Sequence, residues 1–443
     1  MRLNDPLPSR LPGRRVLKFG GAALRDGQAV RRAVSLVRAF GGERPVVVVS
    51  AHAGVTAMLE HAVEEAAAGR RAFDPVRIRH RTLLRQLELA PDLLDRHLAE
   101  LGALLAALAR SARIDRARRD AVLSFGERMS ARVFAAAARA NGLEALPVDT
   151  SDLDLVRCEE SRSLPEKVPP KLARSLESVP GVAVVTGFVA LDGEGKLATL
   201  GPNGSDLTAT WLGAVLGASE VQLWKRVPGL MSADPALVPT ARHLEHLTWD
   251  EASELARHGS SVLHPASIEP ARRAVARLSI RNLEDEDAPG SLIDADGGED
   301  GPPVRAVAHR TDIALLTIPL SGEGGRARRL SELFGTLTRA GIDPYLGTID
   351  AHEARLLVTE NRWLAPALAA EFPRATLTPD LASVTLVGRD LDTDPRADAA
   401  VAEAEALGAT RWRGDEGQSR VLVASRSLAA TLVRTLHERL FAS

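Results

Sequence analysis

Cysteine is nearly absent: Cys158 is the only one in 443 residues. That excludes an internal disulfide and a thiolate metal cluster, and it fits a reducing, cytoplasmic setting. Aromatic residues make up 3% of the chain, with a single tyrosine. Lysine is scarce too, since only five of the 56 basic residues are lysine and the rest are arginine. Charge of either sign is not in excess. The net charge of −2 gives no basic field to draw nucleic acid, so no nucleic-acid partner is expected. No apolar run approaches the 18 residues that would suggest a membrane span. The first residues carry Arg2, Asp5 and three prolines with no apolar core, so no secretory signal is expected. What remains is ordinary for a compact α/β protein of two or three domains: 45% hydrophobic residues, 26% charged, 35 glycines and 26 prolines.

Against that scarcity the position of Lys18 stands out. Val16–Phe19 reads as a short buried strand, and Gly20-Gly21 lets the backbone turn tightly beside a ligand. Val30, Ala33, Val34 and Val37 then recur at helical spacing in 28–40. Strand, glycine turn and helix together aim free N–H groups and a positive helix end at an anion. Lys18 is either the cation of such a site or a solvated lysine beside an ordinary turn.

A second apolar strand, Val46–Val49, runs into the small-residue loop Ser50-Ala51-His52-Ala53-Gly54-Val55-Thr56. Two such units predict a ligand cleft at the carboxyl edge of a parallel sheet. Residues 57–119 read as a helical insertion broken near Pro75 and Pro91, with His80 and His97 at its surface. The stretch 123–131 is expected to begin a helix. Ser124 and Glu127 have the spacing of a capping box, and the alternative is that Glu127 holds a substrate ammonium. Leu146–Asp149 and Val182–Val189 read as strands, with 150–180 loop-rich between them and a hairpin turn at 191–197. The glycine-rich loop Gly201-Pro202-Asn203-Gly204 enters a helix at Ser205 or Asp206, and Asp206 is either its cap or an organiser of catalytic groups. Val221–Trp224 is a further strand, followed by Lys225 and Arg226. Helices are expected at 248–258 and 266–276, and a strand at 278–282.

Residues 284–303 are acidic with glycine and proline and mark a domain boundary. Beyond them strands and helices alternate as two small α+β units, 304–359 and 383–441. They suggest a paired regulatory or dimerising module.

The stretches KFGG (18–21), VVVVSAHAGVT (46–56), SFGERMSA (124–131), TLGPNGSDLTA (199–209), WKRVPGLMSADP (224–235) and EASELARHGSSVLHPASIEPA (251–271) stand in one order. In that order they resemble the aspartate kinase family of the amino-acid kinase superfamily, whose tail carries ACT domains. The resemblance implies a three-layer α/β/α amino-acid kinase fold over 15–294, including the insertion at 57–119. A lead at 1–14, a linker at 295–303 and two tandem ACT-like domains at 304–443 complete the expected organisation. It further implies transfer of the ATP γ-phosphoryl group to the side-chain carboxylate of aspartate, with Mg²⁺, in a homodimer or higher oligomer. Carried over by motif, Lys18 stabilises the transferred phosphoryl and Asp206 organises it. Thr56, Glu127 and Ser205 hold the amino acid. Gly20, Gly21, Gly201 and Gly204 cradle phosphates. Lys225 and Arg226 do not match the family motif and are expected to add phosphate contacts by another route.

The departures from the family pattern cluster. Ala22 and Ala23 replace hydroxyl residues, and Pro202 replaces an arginine that grips a substrate carboxylate. Lys225-Arg226 replaces Thr-Asp, Met231 a tyrosine, Ala236 an arginine and Ser261 a lysine. At the sequence they leave two other readings open: a non-catalytic regulatory or scaffold relative, and a kinase for a different small carboxylate.

Overall fold

A computed structural model of the chain describes residues 14–441 apart from 41–43, 71–72, 112–113, 159–163, 165–168, 261, 276, 299–300, 321–324, 341, 343, 361–365, 367, 369–370 and 413–416. Ser261 and most of the lead at 1–14 therefore lie outside the described residues. The chain forms two compact units. The first takes the chain up to Gly229 and again His264–Ala295, and the second takes Leu230–Leu263 and everything from Asp296.

In the first unit β1 (Arg15–Phe19) passes through a 3-10 turn (Gly21–Leu24) into α1 (Gly27–Ala39) and β2 (Val46–Val49). Four helices follow, α2 (Val55–Ala67), α3 (Asp74–Gln86), α4 (Asp95–Ser111) and the long α5 (Arg116–Ala140). The chain continues through β3 (Ala145–Val148), α6 (Pro170–Ser178), β4 (Val182–Thr186), the hairpin β5 (Val189–Leu191) and β6 (Leu197–Thr199), α7 (Gly204–Leu216) and β7 (Glu220–Lys225). The second unit then contributes β8 (Leu230–Met231), β9 (His243–Leu244), β10 (His246–Thr248) and α8 (Trp249–Arg257). The chain returns to the first unit with α9 (Pro265–Ala274), β11 (Arg277–Asn282) and β12 (Ser291–Asp294).

Within the first unit the strands order as β12-β11-β7-β1-β2-β4-β3, parallel except for β12. The strand Val-Val-Val-Val of β2 is buried along its whole length, as a central parallel strand covered on both faces must be. Helix α1 starts on the Asp26 side chain, which accepts the Ala29 N–H at 2.9 Å. Leu17 and Phe19 enter the main core with Val47, Val49 and one face of α5. Strand alternation then puts Lys18 on the opposite face from Leu17 and Phe19.

Two readings of the sequence need correction. Ser124 is no helix cap, because α5 begins two turns earlier on Asp115, whose side chain accepts from the Arg118 N–H at 2.8 Å. Inside the helix the Ser124 hydroxyl donates to the Ala121 carbonyl at 2.7 Å. His80 is not at the surface. It is fully buried, with Nδ1 against the Val76 carbonyl at 2.8 Å, and that burial holds its pKa down at about 4.

In the second unit β13 (Val304–Pro319), α10 (Gly325–Arg339), β14 (Pro344–Ile349), β15 (Glu353–Thr359) and β16 (Thr376–Gly388) lead to the helix Pro395–Ala406, then β17 (Thr410–Trp412), β18 (Ser419–Ser425) and the helix Ala429–Phe441. The strands make one sheet in the order β14-β15-β13-β16-β18-β17. The long strands β13 and β16 pair along both halves of it, so the two α+β halves of this unit share a single sheet. Among the described residues no helix is long and apolar enough to cross a membrane.

Candidate active site

The winding of the parallel sheet reverses beside β1. The chain runs from β1 through α1 to β2 on one side, and later enters β7 on the other. A crevice outside the carboxyl ends of β1 and β7 is where such a sheet binds ligands. Lys18 stands one residue from the end of β1 and Lys225 ends β7.

Between them lies Asp206, 1% exposed, in the first turn of α7. The loop before it turns through two left-handed residues, Gly201 at φ 80° and Asn203 at φ 58°, residue types that tolerate this region. One carboxylate oxygen of Asp206 takes the Lys18 ammonium and the other takes the Lys225 ammonium at 2.8 Å. The capping reading of Asp206 is therefore replaced by an ion-pair role, since α7 starts on Asn203. Burial alone would raise the Asp206 pKa, but the two lysines outweigh it and hold the carboxyl at about 2. Burial pulls the Lys18 pKa below the usual lysine value and the neighbouring Lys225 adds to the fall, while Asp206 opposes both.

A cleft of about 520 Å³ opens on the Lys18 side of this cluster. Of the expected site residues it collects Lys18, Gly21, Thr56, Glu127, Gly201, Gly204 and Ser205. Gly20 lies beside it, where a Cβ would come 3.4 Å from the Lys18 ammonium. Lys225 joins the cluster through Asp206 and is not among the residues lining the cleft. Arg226 stands apart, since it and Arg25 both donate to one oxygen of Glu284, at 2.8 and 2.9 Å. Pro202 is in the cleft wall, so that position supplies neither charge nor N–H. Met231 and Ala236 belong to the second unit. A larger cleft of about 1040 Å³ opens between the start of α5 and the β5–β6 turn. Its charged residues are of mixed sign and none of the expected site residues lines it.

Glu127 supplies the acidic wall. It is 4% exposed and accepts the Ala51 N–H on Oε1 at 3.0 Å, while Oε2 is buried with no hydrogen-bond partner. Burial pushes its carboxyl up to about 8, which the Ala51 hydrogen bond and the Lys18 charge only partly offset. A buried acceptor without a donor is costly, and an incoming ammonium is the ligand that would satisfy it.

His52 carries a role that the sequence reading passed over. It is buried in the wall of the cleft, and Nδ1 meets the Leu24 carbonyl at 2.8 Å. A carbonyl only accepts, so Nδ1 holds the proton, and burial keeps the ring neutral with a pKa of about 3. The imidazole thereby ties the loop after β2 to the turn after β1. The one available signal was its place inside the 50–56 loop, next to the glycine turn.

Close backbone approaches fix the loops. A Cβ on Gly21 would fall 2.7 Å from the Ala51 carbonyl oxygen. One on Gly187 would fall 2.6 Å from the Cβ of Ser205 and 2.7 Å from its hydroxyl. Gly187→Ala is expected to push Ser205 into the cleft and to cost roughly 1–3 kcal/mol by overpacking. Thermal unfolding and kcat/KM for the amino-acid substrate, measured on the same preparation, check both effects.

Residues 13–282 match the model of the amino acid kinase family. The lysine-sensitive aspartokinase 3 of Escherichia coli is 30% identical over 394 residues, 85% of this chain and 87% of that protein. The chain belongs to the aspartokinase family of amino acid kinases. Aspartokinase 1 of Arabidopsis thaliana chloroplasts is 30% identical over 74% of this chain. The chain spans 60% to 63% of the length of the three Arabidopsis aspartokinases it matches. Among solved structures, E. coli aspartokinase III in complex with aspartate and ADP superposes with a TM-score of 0.84 at 28% identity, covering 96% of this chain and 99% of that one. The α/β amino-acid kinase core followed by ACT-like strands and helices is thus the architecture of an aspartokinase.

Proposed function

We propose that the chain transfers the γ-phosphoryl group of ATP to the side-chain carboxylate of aspartate. The observation that carries this reading is the buried Lys18–Asp206 pair, whose lysine lines a cleft that also holds an unsatisfied Glu127 oxygen suited to an ammonium. The aspartate and ADP bound by the E. coli neighbour supply the two ligands.

The reaction sets an anion against an anion, so positioning and charge neutralisation do most of the catalysis. Glu127 Oε2 takes the α-ammonium of aspartate, and Thr56 and Ser205 orient it. Lys18, held by Asp206, meets the phosphoryl group as it moves, and the N–H groups of Gly21 and Gly201 cradle its oxygens; those of Gly20 and Gly204, expected to do the same, already donate to the Trp224 and Gly201 carbonyls. His52 keeps the two loops together.

Mg²⁺ finds no resident cage here. Among the described residues no three His, Cys, Asp or Glu side chains gather to hold a metal, and both Asp206 oxygens are on lysines. We therefore place Mg²⁺ on the phosphates of the nucleotide, its usual partners, and assign it no step. The buried, fully paired cluster argues against a degenerate site, because an unused lysine pair around a buried carboxylate has no reason to keep its desolvation cost. We also propose a homodimer or higher oligomer, tested by light scattering on the eluted protein. Trapping the acyl phosphate with hydroxylamine tests the function: aspartyl hydroxamate forms in step with ADP, and ADP release without hydroxamate would contradict it.

A further inference from the structure

We infer that Thr208 is a positioning residue for the acceptor: its hydroxyl holds Phe188 in a strained turn and so sets the wall of the cleft beside Ser205. The inference rests on the proposed phosphoryl transfer to aspartate and adds a residue that governs acceptor binding. It starts from the backbone between β4 and β5. Phe188 has φ 65°, in the left-handed region that a bulky side chain rarely enters. The Val189 N–H returns to the Gly187 carbonyl at 2.7 Å. Phe188 is thus the central residue of a three-residue turn, in the positive-φ form that is rare and strained. Such a conformation persists only where its surroundings impose it, and it clusters at ligand sites. Phe188 and Ser205 both line the cleft that holds Lys18 and Glu127.

Val49, Leu200 and Thr208 impose the turn. The Gly187 N–H donates to the Val49 carbonyl at 3.0 Å, and the Leu200 N–H donates to the Phe188 carbonyl at 2.9 Å. The Phe188 N–H donates to Thr208 Oγ1 at 3.2 Å. Thr208 is fully buried, and its own hydroxyl proton goes to the Gly204 carbonyl at 2.8 Å. A hydroxyl has one proton to give and lone pairs to spare, so Oγ1 serves both bonds at once. This one oxygen therefore ties the strained residue to the start of α7, one helical turn before Thr208. Packing tightens the tie: a Cβ on Gly204 would lie 3.1 Å from the Phe188 ring and 3.3 Å from its Cα. Without the Thr208 acceptor Phe188 loses the bond at its own N–H and relaxes towards negative φ. Its ring then leaves the place it holds in the cleft wall.

Aspartate KM and kcat, read from hydroxamate formation, separate this role from a structural one. Thr208→Val keeps the shape of the side chain and removes the acceptor. It is expected to raise the aspartate KM about three- to tenfold, the loss typical of one neutral hydrogen bond, with kcat within about threefold. Thr208→Ser brings the KM back to within about twofold of the wild type. Glycine enters the left-handed region without steric cost, so a Phe188→Gly chain needs no such restraint, and there Thr208→Val changes the KM by less than about twofold. An unchanged KM in Thr208→Val, no rescue by serine, or the same Thr208→Val effect with and without Phe188→Gly overturns the inference. If Thr208→Val does not fold, hydrogen exchange at the Phe188 amide of the wild-type chain decides. Aspartate at about 20 times its KM slows that exchange about tenfold, because bound ligand suppresses opening of the turn, whereas exchange indifferent to aspartate overturns the inference. A wild-type chain that makes no aspartyl hydroxamate counts against the proposed transfer itself, and is seen before any variant is compared.

Discussion

Replacing Lys18 by methionine lowers kcat for aspartate phosphorylation by about 10²–10³-fold, the range seen when one preorganised group is removed from developing charge. The aspartate KM changes little, because Lys18 meets charge that appears in the transition state and the ammonium site on Glu127 is left in place. Methionine keeps the length and much of the volume of lysine, so the core beneath β1 is preserved. The change leaves Asp206 buried with Lys225 as its remaining counter-ion. Some stability is therefore lost as well, and breaking a buried pair from one side costs more than the pair contributes. A double replacement of Lys18 and Asp206 by methionine and asparagine recovers part of that stability and none of the rate. Steady-state kinetics beside thermal unfolding tests the separation. A variant with unchanged kcat would remove Lys18 from the chemistry.

Glu127→Gln raises the aspartate KM by roughly 10–150-fold, the equivalent of one charge-assisted hydrogen bond of about 1.5–3 kcal/mol. The pH profile adds a sharper signature. The Glu127 carboxyl sits at about 8 in the empty cleft against an ordinary value of 4.5. An ammonium binds the carboxylate, so the wild-type aspartate KM falls as pH rises from about 6.5 towards 8.5. In Glu127→Gln this dependence disappears. Stability moves the other way. Between 4.5 and about 8 the folded protein holds the Glu127 proton while the unfolded chain has released it. The native state then binds more protons, and this group makes the protein less stable as pH rises through that window. The glutamine variant lacks the trend, so its unfolding temperature gains on the wild type from pH 5 to pH 8. Parallel curves for the two proteins would mean that Glu127 is ionised in the empty site.

Much of this arrangement was legible in the sequence, for local reasons. A buried strand ending in a lysine and two glycines restricts the backbone strongly; Gly20-Gly21 was read as the turn after that strand and Gly201–Asn203 as a loop running into a helix, as they are found. The strand and helix order of the C-terminal unit was equally legible, because alternation and helical spacing are properties of single elements. What long-range pairing decides was not. Nothing local says that β13 and β16 each serve both halves of one sheet. Ser124 read as a cap because the stretch before it, rich in arginine, hid the first turns of α5; Asp115 was the overlooked start signal. His80 read as exposed because single histidines carry no periodic signal, yet it faces the core of the insertion. Lys225 and Arg226 were grouped as one phosphate contact. Neighbouring residues at a strand end leave on opposite sides, and this pair divides accordingly, Lys225 to buried Asp206 and Arg226 to exposed Glu284.

The central claim is that this cleft phosphorylates aspartate, and one assay addresses it most directly. The purified chain is incubated with MgATP and aspartate in hydroxylamine, and ADP and aspartyl hydroxamate are quantified together. The account predicts equal amounts of both, dependent on aspartate and reduced at least 10²-fold in Lys18→Met. No hydroxamate from the folded wild-type protein at millimolar substrates, or equal amounts from the two proteins, would contradict it.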